Sequence, residues 1–126
     1  MGEPFDRELS EHERAILLMA IDTMQVGRKQ ALAQLAVAKR GRPAHPGTHP
    51  CFFIVVPESV EPIPAGSTYP LTLYVSPDEF TVGTIELFIE SGRLDSLDWT
   101  EVSLTPDAPE VTEFPSLDRI SAEMGL

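Results

Sequence analysis

Acidic side chains are concentrated between Thr84 and Leu104, and their spacing is the first feature to test for chemistry. Glu86 and Glu90 form one close pair, and Asp95 and Asp98 form another. Two carboxylates perform general acid–base catalysis when one of them is buried and its pKa is raised. The sequence pattern instead places both pairs on an exposed strand face or beside a turn. We therefore expect a solvated acidic surface and predict no catalytic residues.

A second set of reactive side chains is spaced as H-x3-H-x-C and consists of His45, His49 and Cys51. Histidine and cysteine are zinc ligands, but a structural zinc site normally has four ligands and no second pair is evident. The alternative is that the histidines are exposed and the thiol is buried. A Cys–His nucleophile is also conceivable, although Cys51 opens an apolar run, and a thiol buried in a core is unreactive.

The common enzyme signatures are absent from this sequence. It has no P-loop, dinucleotide-binding, nucleophile-elbow or zincin motif. We accordingly predict a protein that is not an enzyme and that uses no cofactor. His45, His49 and Cys51 remain the only candidate metal ligands, and our prediction is that they bind none.

The charge is distributed unevenly along the chain. The net charge is -11, and residues 51–126 contain two Lys/Arg against fourteen Asp/Glu. A surface of this sign repels nucleic-acid phosphates and anionic lipid headgroups, whereas it attracts basic proteins. We therefore expect a basic protein partner, with neither nucleic acid nor membrane as a ligand.

The elements that position these side chains begin with two helices. Ser10 and Glu13 have the spacing of a capping box, which marks the start of a helix. Apolar residues follow at helical spacing as far as Met24, and "RKQALAQLAVA" predicts a second helix after Gly27. The N-terminal third is therefore predicted to be helical.

The rest of the chain predicts strands. "CFFIVV" is a continuous apolar run, and "LTLYV" and "TIELFIE" alternate between apolar and polar residues. After the turn, Leu97 and Trp99 share a face, but the apolar set then moves to Val102 and Leu104. We infer a β-bulge near Thr100 and Glu101 that restores the inward direction. Trp99 is predicted to lie in the core.

Together these elements predict one α+β domain spanning residues 1–126, with 1–8 and 121–126 frayed. Two N-terminal helices are expected to pack on a mostly antiparallel, four- to five-stranded sheet. The single cysteine cannot form an internal disulfide, which is typical of a reducing compartment, so we expect a cytoplasmic protein.

The hairpin and tail resemble a group of short, largely uncharacterised bacterial proteins, many of them actinobacterial. The shared hairpin pattern is I-x-L-x-I-x-x-G-x-L-x-x-L-[ED], and the shared tail pattern is P-x-x-x-x-[LI]. The pattern is matched here by Ile85, Leu87, Ile89, Gly92, Leu94, Leu97 and Asp98, and in the tail by Pro115, Leu117 and Ile120. The resemblance implies an α+β fold and an association with immunity proteins encoded beside secreted toxins.

Three functional hypotheses follow. The first is a non-enzymatic immunity-type protein that neutralises a basic toxin domain. The second is an assembly protein that forms a homo-oligomer. The third is a small metal-binding protein that uses His45, His49 and Cys51. For the first, Phe88 supplies an apolar anchor on the acidic face, and the predicted contact residues are Glu86, Phe88, Glu90, Asp98 and Glu101.

Overall fold

The protein is represented by a computed structural model that describes residues 6–44, 50–64, 70–109 and 111–123. These residues form two α-helices, a short 3-10 helix at Leu117–Arg119 and seven strands. In chain order the helices and strands are β1 (Arg7–Glu8), α1 (Glu11–Ile21), α2 (Arg28–Val37), β2 (Lys39–Pro43), β3 (Phe52–Val55), β4 (Leu71–Val75), β5 (Thr81–Glu90), β6 (Arg93–Ser103) and β7 (Ile120–Ser121).

The strands form one sheet in the order β1-β2-β3-β6-β5-β4-β7, and every neighbouring pair is antiparallel. The prediction of four to five strands is wrong, because this sheet has seven. The strands missed by pattern are β1, β2 and β7. Each lies at or next to a sheet edge, where backbone pairing alone defines a strand and no apolar alternation is required.

The two helices cover one side of the sheet and bury the core against it. Trp99 is 3% exposed, so its predicted core position is confirmed. The buried side chains that α1 and α2 contribute include Ile16, Leu17, Ile21, Ala31 and Leu35, and those of the central strands include Phe52, Leu73, Ile85, Leu87, Leu97 and Trp99.

Glu13 connects the start of α1 to two strands. The predicted capping box is confirmed: Ser10 Oγ accepts the Glu13 N–H at 3.0 Å, and Glu13 Oε1 accepts the Ser10 N–H at 2.8 Å. The same carboxylate pairs with Arg7 of β1 at 2.9 Å and with Arg40 of β2 at 2.6 Å. Burial alone raises the pKa of Glu13, but the hydrogen bonds from Arg7, Ser10 and Arg40 outweigh it and lower that pKa to about 2.

The β5–β6 ladder does not contain the predicted bulge near Thr100 and Glu101. Pairing continues without a shift from Phe88–Ser96 to Thr81–Ser103. Alternation therefore turns Val102 away from the core, and its side chain is 57% exposed. The register shift in this ladder lies between Phe88 and Ile89, where Asp95 is the extra residue of β6.

The C-terminal segment is attached to the sheet edge by Arg119. Its guanidinium donates to the backbone oxygens of Ser76 and Thr81 and forms an ion pair with Asp78 at 3.0 Å. Backbone N–H groups of Thr81 and Phe80 are the main cause of a lowered pKa at Asp78, with Arg119 contributing. Phe114 and Ile120 of this segment are buried, and Leu117 is exposed.

Replacing Glu13 by Gln tests whether the buried carboxylate stabilises the fold. Because its pKa falls from 4.5 to about 2 on folding, the stabilisation is complete above pH 4.5 and decreases as the pH falls toward 2. The pH-dependent part should be about 3 kcal/mol, measured as the difference between wild-type and E13Q unfolding free energies. Glu11→Gln, an exposed neighbour on the same helix turn, is the control. An E13Q difference that does not change with pH would contradict the assignment.

Candidate functional site

The β5–β6 hairpin carries most of the predicted contact residues. Its two-residue turn, Ser91 and Gly92, has positive φ values of 51° and 76°. A type I′ turn requires positive φ at both central positions, and its twist matches that of the flanking strands. This turn and the extra residue Asp95 determine the register, which places Glu86 directly opposite Asp98.

Gln34 of α2 holds this turn against the helices. Its side chain is fully buried; Nε2 donates to the backbone oxygens of Gly92 at 2.8 Å and Glu61 at 3.0 Å, and Oε1 accepts the Leu94 N–H at 2.9 Å. Gly92 is required here for space as well, because a Cβ atom would lie 2.8 Å from Pro62 Cβ. The hairpin is thus fixed at its turn.

The side of the sheet away from α1 and α2, here termed the outer face, is formed by alternate residues of β2–β6. Phe88 of β5 lies opposite Ser96 of β6, which in turn lies opposite Phe53 of β3. Ser96 is 7% exposed, although no described helix covers this side of the sheet. An aromatic residue thus lies on each side of a buried serine at the centre of the outer face.

The acidic pair, Glu86 and Asp98, lies beside this aromatic centre. Both side chains are half-buried. Directly opposed residues on one face of an antiparallel pair have their Cβ atoms about 5 Å apart, so the two carboxylates lie close together on the outer face. Glu90 is exposed at the turn, opposite Arg93.

Glu101 does not share this face. It lies opposite Gly83 and has the same alternation as Leu97 and Trp99, so it belongs to the helix side of the sheet. Its expected position on the outer face depended on the bulge near Thr100, which the ladder does not have. Of the five predicted contact residues, Glu86, Phe88 and Asp98 are therefore brought together, Glu90 lies at the end of the hairpin, and Glu101 is separated from them.

The predicted metal ligands are only partly within the described residues. His45 and His49 lie outside them, and Cys51 is fully buried. Cys51 Sγ accepts the Trp99 N–H at 3.0 Å. Burial is the main cause that raises the pKa of this thiol to about 11, so it is protonated at neutral pH. Within the described ranges, no three His, Cys, Asp or Glu side chains are grouped so that they could hold a metal ion.

Sequence reasoning missed two residues of the outer face, Phe53 and Arg42. The guanidinium of Arg42 lies over the Phe53 ring, with Cζ 4.7 Å from the ring centroid. Phe53 was missed because it belongs to the continuous apolar run "CFFIVV", which is typical of a strand buried on both faces. The available signal was the strand period of two, since Phe52 and Phe53 must point to opposite faces.

A groove of about 690 Å³ lies between β4, β5 and the C-terminal segment, and Tyr74, Val82 and Ile120 are among the residues that line it. Its one arginine, Arg119, is already engaged by Ser76, Thr81 and Asp78. The Arg119 guanidinium therefore attaches the C-terminal segment to the residues between β4 and β5.

Comparison of the chain with protein-family models, with curated proteins and with solved structures gives no match. Neither described helix combines the length and apolar character needed to cross a membrane.

Replacing Gln34 by Leu tests how the turn is supported. Leu fills a similar volume but removes the hydrogen bonds of Gln34 to the Glu61 oxygen and the Leu94 N–H, while the Gly92 oxygen keeps its bond from the Ile63 N–H. We therefore expect a loss of about 2–3 kcal/mol of unfolding free energy. Denaturant midpoints measure this loss, and amide exchange should increase first at Leu94, whose N–H binds Gln34. Lys29→Leu, at an exposed position of the same helix, is the control; equal losses in both variants would contradict the role of Gln34.

The burial of Cys51 predicts a thiol that is inert in the folded state. A disulfide reagent such as dithionitrobenzoate should label native protein only as fast as the structure opens, because the thiol is buried and its pKa is about 11. The same protein in denaturant should react at once. Rapid stoichiometric labelling of the native protein would show that Cys51 is accessible.

Proposed function

We propose that this protein is a non-enzymatic binding protein whose outer face takes a basic protein partner. The observation that carries the proposal is Glu86, a half-buried carboxylate that lies beside Phe88 on the outer face. A partner cation placed against this carboxylate gains an ion pair without displacing one that a described residue already makes.

The distribution of the other charges supports the same proposal. Several cations are already engaged within the molecule: Arg7 and Arg40 bind Glu13, and Arg119 binds Asp78. Glu86, by contrast, makes neither a hydrogen bond nor an ion pair with any described residue. With a net charge of -11, the long-range field attracts a basic protein and accelerates its encounter.

Phe88 supplies the apolar part of this surface. Its ring lies on the outer face next to Glu86 and opposite Ser96, and it is half-buried. Binding hot spots combine a partly buried aromatic anchor with a polar surround that excludes water. Phe88 is the anchor in this proposal, and the acidic pair is part of its surround.

We propose further that the partner is a toxin domain and that the protein acts in the cytoplasm as an immunity protein. The support is the hairpin resemblance at Ile85–Asp98 and the charge, since an inhibitor of a basic toxin needs an acidic contact surface. Binding rather than catalysis is consistent with Cys51, whose thiol is buried and protonated. A homo-oligomer through the outer face is disfavoured because two copies would each bring a net charge of -11.

The double variant E86K/E90K tests the proposal. Immobilised wild type is exposed to lysate of the source organism, and proteins that it retains but that the resin without protein does not are identified and purified for comparison of the wild type with the variant. Surface plasmon resonance over a salt series should then show slower association at high salt, because the Debye length falls from about 10 Å at 0.1 M to about 3 Å at 1 M. The variant should lose affinity mainly through association.

The matched control is D22K/E113K, which changes the net charge equally at two exposed positions away from the outer face. It should bind almost as well as the wild type. Phe88→Ala should instead accelerate dissociation and cost about 2 kcal/mol. Full binding by E86K/E90K, or equal losses in both charge variants, would contradict a specific role for the acidic hairpin.

A further inference from the structure

The outer face is not uniformly acidic, because Arg42 lies on it. β2 and β3 lose register between Arg40 and Pro43, so that Gly41 and Arg42 together face Phe53. Such a bulge redirects the side chain of the extra residue. The Arg42 guanidinium is thereby placed over the Phe53 ring at 4.7 Å, an attractive cation–π geometry.

Gly41 makes this placement possible. A Cβ atom at this position would lie 2.9 Å from Val55 Cγ2 and 3.0 Å from the Phe53 backbone oxygen. Only glycine lets β2 approach β3 this closely, and that approach keeps Arg42 above the ring. The cation is therefore held at a defined place on the outer face.

Charge and apolar surface follow a fixed order across the strands. Arg42 on β2 is followed by Phe53 on β3, Ser96 on β6 and Phe88 on β5. Glu86 lies two residues from Phe88 on the same face of β5. Since neighbouring strands are about 4.8 Å apart, Arg42 and Glu86, which are three strands apart, are separated by about 15 Å, with the Phe53 ring between them and the Phe88 ring beside Glu86.

From this order we infer that the outer face recognises a bipolar protein surface. Lysine or arginine of the partner meets Glu86, an aspartate or glutamate meets Arg42, and an apolar side chain between these two packs on Phe53 and against the near side of Phe88. A uniformly basic surface would bring a like charge against Arg42, which penalises it. Arg42 thus selects among basic proteins, and this inference rests on the outer face being the binding surface proposed above.

Synthetic peptides test the inference without an identified partner. The bipolar peptide has lysines at one end, leucines at the centre and glutamates at the other end. One control peptide has the same composition with lysine and glutamate alternating, and the other replaces every glutamate by lysine. Amide chemical shifts of the isotope-labelled protein report where each peptide binds and how tightly.

The bipolar peptide should shift the amides of Arg42, Phe53, Glu86 and Phe88 together and bind about tenfold more tightly than either control. Arg42→Glu should abolish this preference and strengthen binding of the all-lysine peptide. Arg28→Glu, the same charge change at an exposed helix position, should preserve the preference. Retention of the preference by R42E would overturn the role of Arg42.

The outcomes separate this inference from the proposed function. If the all-lysine peptide binds at Glu86 at least as tightly as the bipolar one, the outer face recognises only the positive charge of its ligand. The bipolar inference then fails while the proposed function stands. If no peptide shifts any amide of the outer face, both fail. If dilution alone shifts these amides, the face pairs with a second copy of the chain, and the inference of a bipolar partner is likewise overturned.

Discussion

The buried carboxylate of Glu13 is the interaction from which much of the arrangement follows. It receives hydrogen bonds from Ser10, Arg7 and Arg40, and so joins the first helix to β1 and β2. Arg40, held in this way, also lies 4.6 Å over the ring of Phe52. Phe52 therefore faces the helices, and the next residue along the strand must face the opposite side. An ion pair near the N-terminus thus helps determine which aromatic ring reaches the outer face.

The outer face is supported from the helix side of the sheet. Gln34 is a buried polar side chain whose donor and acceptor groups are satisfied by the hairpin turn and the loop before β4. A fully satisfied buried network in a low-dielectric interior makes one arrangement much more stable than its alternatives. Glu86 and Phe88 are thereby held on a strand that is already fixed, so binding of the proposed partner would cost little conformational entropy.

The parts of the fold that could be predicted are those encoded by short-range patterns. Ser10 and Glu13 at capping-box spacing identify the helix start, and the alternation of β4 and β5 identifies buried and exposed faces. Strands at or next to the sheet edge carry no such pattern. The sequence of β2, Lys39–Pro43, is basic and has no apolar alternation, because its pairing with the neighbouring strands is made by backbone groups. Apolar alternation assigns residues to the correct face only when the position of any bulge in the strand is known. The bulge is at Asp95 and not at Thr100, so Glu101 was assigned to the wrong side and Val102 was expected inside.

Two residues of the outer face, Arg42 and Phe53, are placed there by pairing between strands that are distant in sequence. A short stretch of sequence does not contain the information about such pairing.

The sheet order also has a kinetic consequence. β4, β5 and β6 form a continuous meander closed by short connections, and β5 and β6 pair over their whole length around a two-residue turn. Local hairpins of this kind form within microseconds, whereas pairing between segments distant in sequence must first overcome loop-closure entropy. The acidic pair is assembled in that early meander. β3 adds Phe53 to β6 only when a segment more than forty residues away docks. During folding, Phe88 and the acidic pair are thus in place before Phe53 and Arg42 join them, so the two ends of the outer face form in separate steps.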